Sequence, residues 1–488
     1  MKKYDAIVIG SGISGLTAAL ILGRYGKKVA LLEQFSSVAP LLRRFKRGHI
    51  WCDPGFHYSG GLDENGPFTV LLRYLNVMNH IKPIPMDPQG YDYLQFDGKE
   101  EYLLPYGYER LQSYLCDHFP SSAAAVKQYL KKVRAINKAT AFNNFNLKPG
   151  QFSDDVYRNQ SLQEYLLEIN AEDKLIRLLG SHGKVLYGSE PAEVPLAVHA
   201  YIMGTFYQSS STILNGGNAL VKAFEHELKN QGIEVYCNQT VTAIKTDHQR
   251  RVKGVYTQNA EYFECSSCIS TIHPQHLIPL LAQSNIRPAF INRLKKAQNT
   301  SSPMVLFLDM DQYPQKIAQC NYYVFNKSKH KGRQDYLAFM AANQNAESRG
   351  RRSLAVIAPM DDYVFMDYFG SSYFDHYEDY LSLKNEWIEK IMDCVYSVFP
   401  EIKGRARLVD AATPVTYSRY TNTVKGSMYG LKQTVQHRGL STRSSLHGLY
   451  LAGQSVQLGA MGSMVSGFMA ATHLIDTKRL RDEIKACR

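Results

Sequence analysis

The chain has 488 residues, 44% of them hydrophobic and 20% charged, an ordinary globular balance with enough apolar material for a large core. Its net charge of +12 comes in short clusters, such as Arg43-Arg44 with Lys46-Arg47, and no helix-turn-helix, finger or RNA-recognition pattern accompanies it, so nucleic acid is not an expected partner. The eight cysteines are scattered rather than framed as disulfides, and no uninterrupted apolar run of ~18 residues predicts a spanning helix.

The apolar N-terminus is not read as a secretory signal. Asp5 interrupts its start, glycines break the run, and no small-residue cleavage site follows. With the cysteine pattern this gives a cytoplasmic expectation, and the positive charge adds peripheral contact with anionic membrane. "DAIVIG" predicts a strand. Gly10-x-Gly12-x-x-Gly15 follows at once, then a helix through "LTAALILGRYG" and a second strand "KVALLE" that ends on Glu33. In this layout Gly10 permits a tight turn, Gly12 lets backbone approach a pyrophosphate, and Gly15 brings helix and strand together. Ser14 lies at the helix start, where free N–H groups and the positive dipole end favour phosphate. Glu33, 18 residues past Gly15, is placed to accept hydrogen bonds from a ribose diol. Dinucleotide binding is the expectation.

Farther along, "SSAAAVKQYLKKVRAINKATA" predicts a helix with Val126, Leu130 and Val133 on one face and basic residues mostly elsewhere. It is either a membrane-surface helix or an ordinary solvent-facing one. "NGGNALVKAFEHELKNQGIEVYCNQTVTAIKTD" predicts a glycine turn, an amphipathic helix and two strands, with Val241 as a backbone contact near the adenine. Cys265, Cys268, His273 and His276 imitate a zinc set, but the two pairs are too close for a finger loop, so no metal is expected.

The chain closes with another strand, turn and helix, "GLYLAGQSVQLGAMGSMVSGFMAATHLI". In two-dinucleotide-binding flavoproteins a C-terminal strand of this type closes beside the first nucleotide-binding unit. The similarity implies FAD, with its ADP half on the N-terminal unit. Gly453, Gln454, Gly462, Met464 and Val465 would lie along the flavin half. The expected fold is α/β: a two-dinucleotide-binding, Rossmann-like FAD domain from residues 1–75, 206–290 and 405–488, and a separate α+β substrate domain from 76–205 and 291–404.

Several segments together resemble the phytoene desaturase, carotenoid isomerase and retinol saturase branch of flavoproteins. They are the N-terminal fingerprint, "CDPGFHYSGG", "YGSEPAEVPLAVHAYIMGTFY", "ISTIHP", "TPVTYSRYTN" and the C-terminal tail. The form Asp53 to Tyr58 is most similar to the retinol-saturase side. Ala39-Pro40 departs from that family's usual Gly-Gly pair, and Gly453-Gln454 from its Gly-Asp. The resemblance implies flavin redox chemistry on a carbon–carbon bond of a long apolar polyene or isoprenoid lipid: desaturation, saturation or redox-assisted isomerisation. His57 and Tyr58 are the catalytic candidates. No second glycine fingerprint serves a nicotinamide, so the electron partner is left among oxygen, a quinone or another carrier. Two other classes stay open: an amine or amino-acid oxidase, and a non-catalytic lipid escort on the same fold.

Overall fold

The computed structural model describes residues 2–140, 155–318, 320–327, 334–341, 350–361, 363–370, 372–437 and 439–488. The parts of 76–205 and 291–404 that fall between these ranges, and the last residue of the 121–141 segment, lie outside the described residues.

Two seven-stranded sheets organise the chain. In the first, strand Lys2–Ile9 lies between Val29–Leu32 and Tyr262–Ser270 and runs parallel to both. Glu234–Tyr236 adds a further parallel strand beyond Val29–Leu32. Strand Tyr262–Ser270 uses its other edge twice. Glu264 pairs with Gly254 on an antiparallel neighbour, and Cys268 pairs with Leu449 on a parallel one. The C-terminal strand Leu449–Leu451 therefore joins this sheet one strand away from Lys2–Ile9 rather than against it, because both edges of Lys2–Ile9 are already taken.

Helix covers one face of this sheet. Helix Ile13–Arg24 packs there, and the C-terminal helix Gly459–Ala471 crosses it closely: a Cβ on Gly467 would collide with the Ser14 carbonyl. Ala6 and Val8 enter this helical layer, whereas Ile7 and Ile9 enter the core on the opposite face. With both faces buried, the strand reads as a continuous apolar run without alternation.

The second sheet is mixed and mostly antiparallel. Ser302–Met310 is flanked by Arg352–Met360 and Ala406–Ala412, and the order continues through Gln334–Ala341, Asn321–Lys327, Asp92–Phe96 and Glu100–Leu104. Residues 406–412, which the division by sequence gives to the FAD domain, thus pair with the second sheet. Val305 and Phe307 face a helical core, while Met304, Leu306 and Leu308 face the layer under helix Tyr377–Val398.

The helix expected over 121–141 runs as Ala123–Lys138, and its apolar face is not available to a membrane. Val126, Tyr129, Leu130 and Val133 are buried in the same core as the second sheet. Among the described residues no helix is long and apolar enough to cross a membrane.

Candidate active site

A cavity of about 1080 Å³ runs from the C-terminal end of strand Lys2–Ile9 to the second sheet, at Val305 and Ile357. Gly10, Gly12, Ser14, Glu33, Val241, Gly453, Gln454, Gly462 and Val465 all line it, as do His57 and Tyr58.

At the end where the sequence predicts the nucleotide, each glycine has its own geometric reason. Gly10 has φ of +93°, and a Cβ there would lie 2.7 Å from Thr271 Oγ1. A Cβ on Gly15 would fall on the Gly10 carbonyl, so Gly15 packs helix on turn and is not part of the cavity wall. A Cβ on Gly12 would meet nothing within 4 Å, because it would project into the cavity. Gly12 is the N-cap of helix Ile13–Arg24, and no side chain caps it. Its first-turn N–H groups are thus left for a ligand such as a phosphate.

Glu33 is 5% exposed and held from two sides. Its Oε2 accepts the Ser11 N–H at 2.9 Å and the Ser11 hydroxyl, and its Oε1 accepts the Phe35 N–H at 3.0 Å. A carboxylate oxygen accepts more than one hydrogen bond, so Oε1 retains capacity for a ribose hydroxyl. Ser11 Oγ also accepts the Ala39 N–H at 3.1 Å. Ala39 has φ of +51°, the left-handed conformation that glycine adopts freely. This chain holds the left-handed turn with an alanine, and Ala39, Pro40 and Leu41 line the cavity.

The C-terminal turn closes on the same space. The Gly453 N–H donates to Ser466 Oγ at 2.8 Å, and at its φ of +108° a Cβ would lie 2.9 Å from the Thr271 carbonyl. Thr271, at the end of strand Tyr262–Ser270, therefore abuts the glycine turns from both ends of the chain. Gly462 and Val465 face the cavity, but Met464 does not: it is fully buried in the helical layer. At ~100° per residue, positions 462 and 465 share a helix face and 464 falls on the opposite one.

At the other end the wall is built of side chains. Val198, Ile202, Phe206, Val305, Met340 and Ile357 supply apolar surface. Tyr417 and Tyr429 also line it, their hydroxyls donating to the carbonyls of Pro54 at 2.9 Å and Val185 at 2.5 Å. Among the described residues Glu33 is the only carboxylate on the cavity wall, and it lies at the nucleotide end. Burial pulls the His57 imidazole below its ordinary range, against the opposing pull of Asp53, so it is neutral at pH 7. Tyr58 opens a buried polar chain. Its hydroxyl donates to Asp92 Oδ2 at 2.9 Å, and the same oxygen accepts His182 Nε2–H at 2.9 Å. Asn321 donates to Asp92 Oδ1 at 2.9 Å. With its O–H directed at Asp92, Tyr58 accepts from the Tyr323 hydroxyl, 2.5 Å away. Burial, and then the Asp92 charge, push the Tyr58 phenol well above its ordinary range.

The sequence matches the family described as flavin containing amine oxidoreductase over residues 13–475. The chain belongs to that family. It is 22% identical to an all-trans-retinol 13,14-reductase of Danio rerio, an alignment covering 99% of this chain and 87% of the relative. It is also 22% identical to prolycopene isomerase 1, chloroplastic, of an Oncidium hybrid cultivar, over 96% of this chain and 83% of the relative. In fold it is similar to an oxidoreductase from Methanosarcina mazei, with a TM-score of 0.65, 14% identity and coverage of 97% and 99% of the two chains.

As a flavin-containing amine oxidoreductase the protein is an FAD-dependent oxidoreductase. The site fits that cofactor: an uncapped helix start, an open space at Gly12 and a pre-held Glu33 lie at one end of a continuous cleft. Sequence reasoning missed a buried ion pair behind the cavity wall, near His57. Arg44 sits in a basic cluster of the sequence, yet its side chain is 2% exposed and grips Asp53 through two bonds of 2.6 and 2.7 Å. Gly216 leaves room for the pair, since a Cβ there would strike Asp53. The one available signal was the Asp that opens "DPGFHY"; nothing local to Arg44 marks it. The tempting metal set does not assemble. Cys265 and Cys268 are buried in the first sheet, and both nitrogens of His273 are engaged, by Asn299 at 2.9 Å and the Gln275 N–H at 3.2 Å.

Proposed function

We propose that this oxidoreductase acts on a carbon–carbon bond of a long apolar polyene or isoprenoid, with the retinoid and carotenoid class as the best-supported substrates. The observation that carries this reading is the substrate end of the cavity, lined mainly by apolar and aromatic side chains, with the cationic Arg158 beside Tyr201 and no carboxylate among the described residues. An amine oxidase reading is weaker on the same ground, because a cationic substrate would be desolvated there with no carboxylate to pair it. The names of the relatives, a retinol reductase and a prolycopene isomerase, support the polyene reading.

FAD, when bound, supplies the two-electron chemistry. The chain's residues bind, orient and move a proton. The Gly10–Gly15 turn, Glu33 and Val241 hold the ADP half, and Gly453, Gln454, Gly462 and Val465 border the flavin half. The apolar wall aligns the polyene and excludes water. Tyr58 is the proton-handling group: its oxygen takes the proton from the carbon next to the one that loses hydride as its own O–H proton passes to Asp92 Oδ2, and the same relay runs in reverse for saturation. Asp92 Oδ2, shared by Tyr58 and His182, keeps the proton balance. His57, neutral and on the wall, shapes the site. In domain terms the first sheet with its helices is the FAD part and the second sheet with the Ala123–Lys138 region is the substrate part. The electron partner is a small carrier that reaches the flavin through the same cavity.

The test is rapid mixing without oxygen, following flavin absorbance with carotenoids, retinoids and simple amines. Polyenes should bleach the oxidised flavin or reoxidise the reduced one; a response to amines alone would refute the reading. Peripheral membrane contact belongs to the same proposal, supported by the +12 charge and the apolar substrate class. Flotation with anionic vesicles should weaken with salt, as screening shortens the Debye length to ~8 Å at 0.15 M. Equal flotation with neutral vesicles, or none with either, would rule the electrostatic contact out.

A further inference from the structure

One cluster of side chains stands apart from the cavity. The short 3-10 turn Val77–His80 packs against helix Gly216–Asn230, and His80, His226 and Glu227 meet there. None of the three lines the active-site cavity. His80 Nε2 is 3.3 Å from Glu227 Oε1, and His226 Nε2 is 3.9 Å from the same oxygen. The three donor atoms all lie within 4.8 Å of one another, and among the described residues no other group of three His, Cys, Asp or Glu side chains converges in this way.

We infer that His80, His226 and Glu227 form a binding site for a divalent transition-metal ion of the zinc type, with water completing its coordination. Tetrahedral zinc with bonds of ~2.0–2.1 Å separates its ligands by about 3.3 Å. The His80–Glu227 edge already has that length. The longest edge must close by no more than about 1.5 Å, and the parts that must move are two imidazoles with 37% and 53% side-chain exposure. The carboxylate is the fixed member: its side chain is 7% exposed, and Asn230 Nδ2 donates to it at 3.2 Å. Such a bond to a ligating carboxylate orients it for the metal.

The donor set also decides the class of ion. Two imidazoles with one carboxylate suit zinc and its neighbours, whereas magnesium and calcium require oxygen. The surroundings do not favour indiscriminate cation binding. Lys222 and Arg44 line the small pocket of about 350 Å³ beside the histidines, so general acidity does not account for the site. Arg44 is neutralised by Asp53. Selectivity must therefore come from the imidazoles. Bound metal would clip the Val77–His80 turn to the helix whose first residues leave room for the Arg44–Asp53 pair. Its role is to hold that turn to the helix from outside the cavity.

The experiment is calorimetric titration of metal-stripped holoprotein with zinc chloride at neutral pH, paired with thermal unfolding. One zinc per chain should bind and raise the unfolding temperature. His80→Ala and His226→Ala should each weaken binding by ~10-fold or more, and the double variant should abolish it. Both side chains are exposed, so the variants should keep full flavin content, which reports that they are folded. Absence of binding, unchanged binding in the double variant, or equal competition by magnesium would each overturn the proposal. None of these readouts depends on the polyene reaction.

Discussion

The two ends of the cavity are made of different material. At the nucleotide end the wall is largely backbone: glycine turns, an uncapped helix start, and one carboxylate held by its neighbours' N–H groups. At the substrate end it is side chains from distant elements, with Val198 and Ile202 on a helix and Val305 and Ile357 on two strands of the second sheet. A backbone wall is built from consecutive residues, so its pattern survives as spacing. A side-chain wall is an accident of what the tertiary structure brings together. The comparison teaches that the cofactor class is locally encoded while the substrate class is not.

Substitutions can break this comparison, and the largest effect is expected at two glycines three residues apart. Gly15→Val should prevent folding, because its Cβ would fall on the Gly10 carbonyl. Gly12→Val should fold, because nothing lies within 4 Å of its Cβ, yet it should lose FAD by filling the pyrophosphate's place. Circular dichroism and the flavin absorbance per mole separate the two outcomes. A Gly12→Val protein with full flavin would show that the backbone wall is not the cofactor's.

The matching experiment at the other end is Tyr58→Phe. Loss of a positioned proton-transfer group should lower turnover by ~10²- to 10⁴-fold while flavin content stays normal. The variant also leaves Asp92 one donor short, with His182 and Asn321 still in place. Unfolding in denaturant should report a loss of about 1–3 kcal/mol. Unchanged turnover alongside that stability loss would reduce the chain behind Tyr58 to a structural network.

Acid should affect both ends in the same direction. Burial lowers His199, in the helical core of the second sheet, to about 3 and His273, beside Thr271, to about 4. Unfolding returns each to ~6.5, so the unfolded chain binds more protons below that pH. The stability carried by the neutral rings is complete above pH ~6.5 and is lost as pH falls toward 4 and then 3. His273→Asn, which retains an N-cap oxygen, should show a smaller drop in unfolding midpoint between pH 7 and pH 5 than the parent. An equal drop would place the acid sensitivity elsewhere.

The smallest expected effect is at Ala39. Its left-handed backbone costs an alanine ~1–2 kcal/mol, and glycine gives back ~0.5–1 kcal/mol in chain entropy. Ala39→Gly should therefore stabilise the protein by about 0.5 kcal/mol, with flavin affinity unchanged, as measured by denaturant unfolding with and without added FAD.

What the sequence by itself determined is the local geometry: strand, glycine turn, helix and acidic residue at the N-terminus, the returning turn at the C-terminus, and the amphipathic helix that buries Leu220, Val221, Phe224 and Leu228. Each follows from short-range rules of φ, period and capping, so neighbours in the chain carry the signal. Only the tertiary structure decided that Leu449–Leu451 enters one strand away from Lys2–Ile9, that residues 406–412 leave for the second sheet, and that Met464 turns from the cavity. It alone paired Arg44 with Asp53, set Asp92 and His182 behind Tyr58, and brought His80 to His226 and Glu227. Those contacts join residues whose positions depend on how sheets and helices pack. A buried arginine and a solvated one read alike until the elements around them are in place.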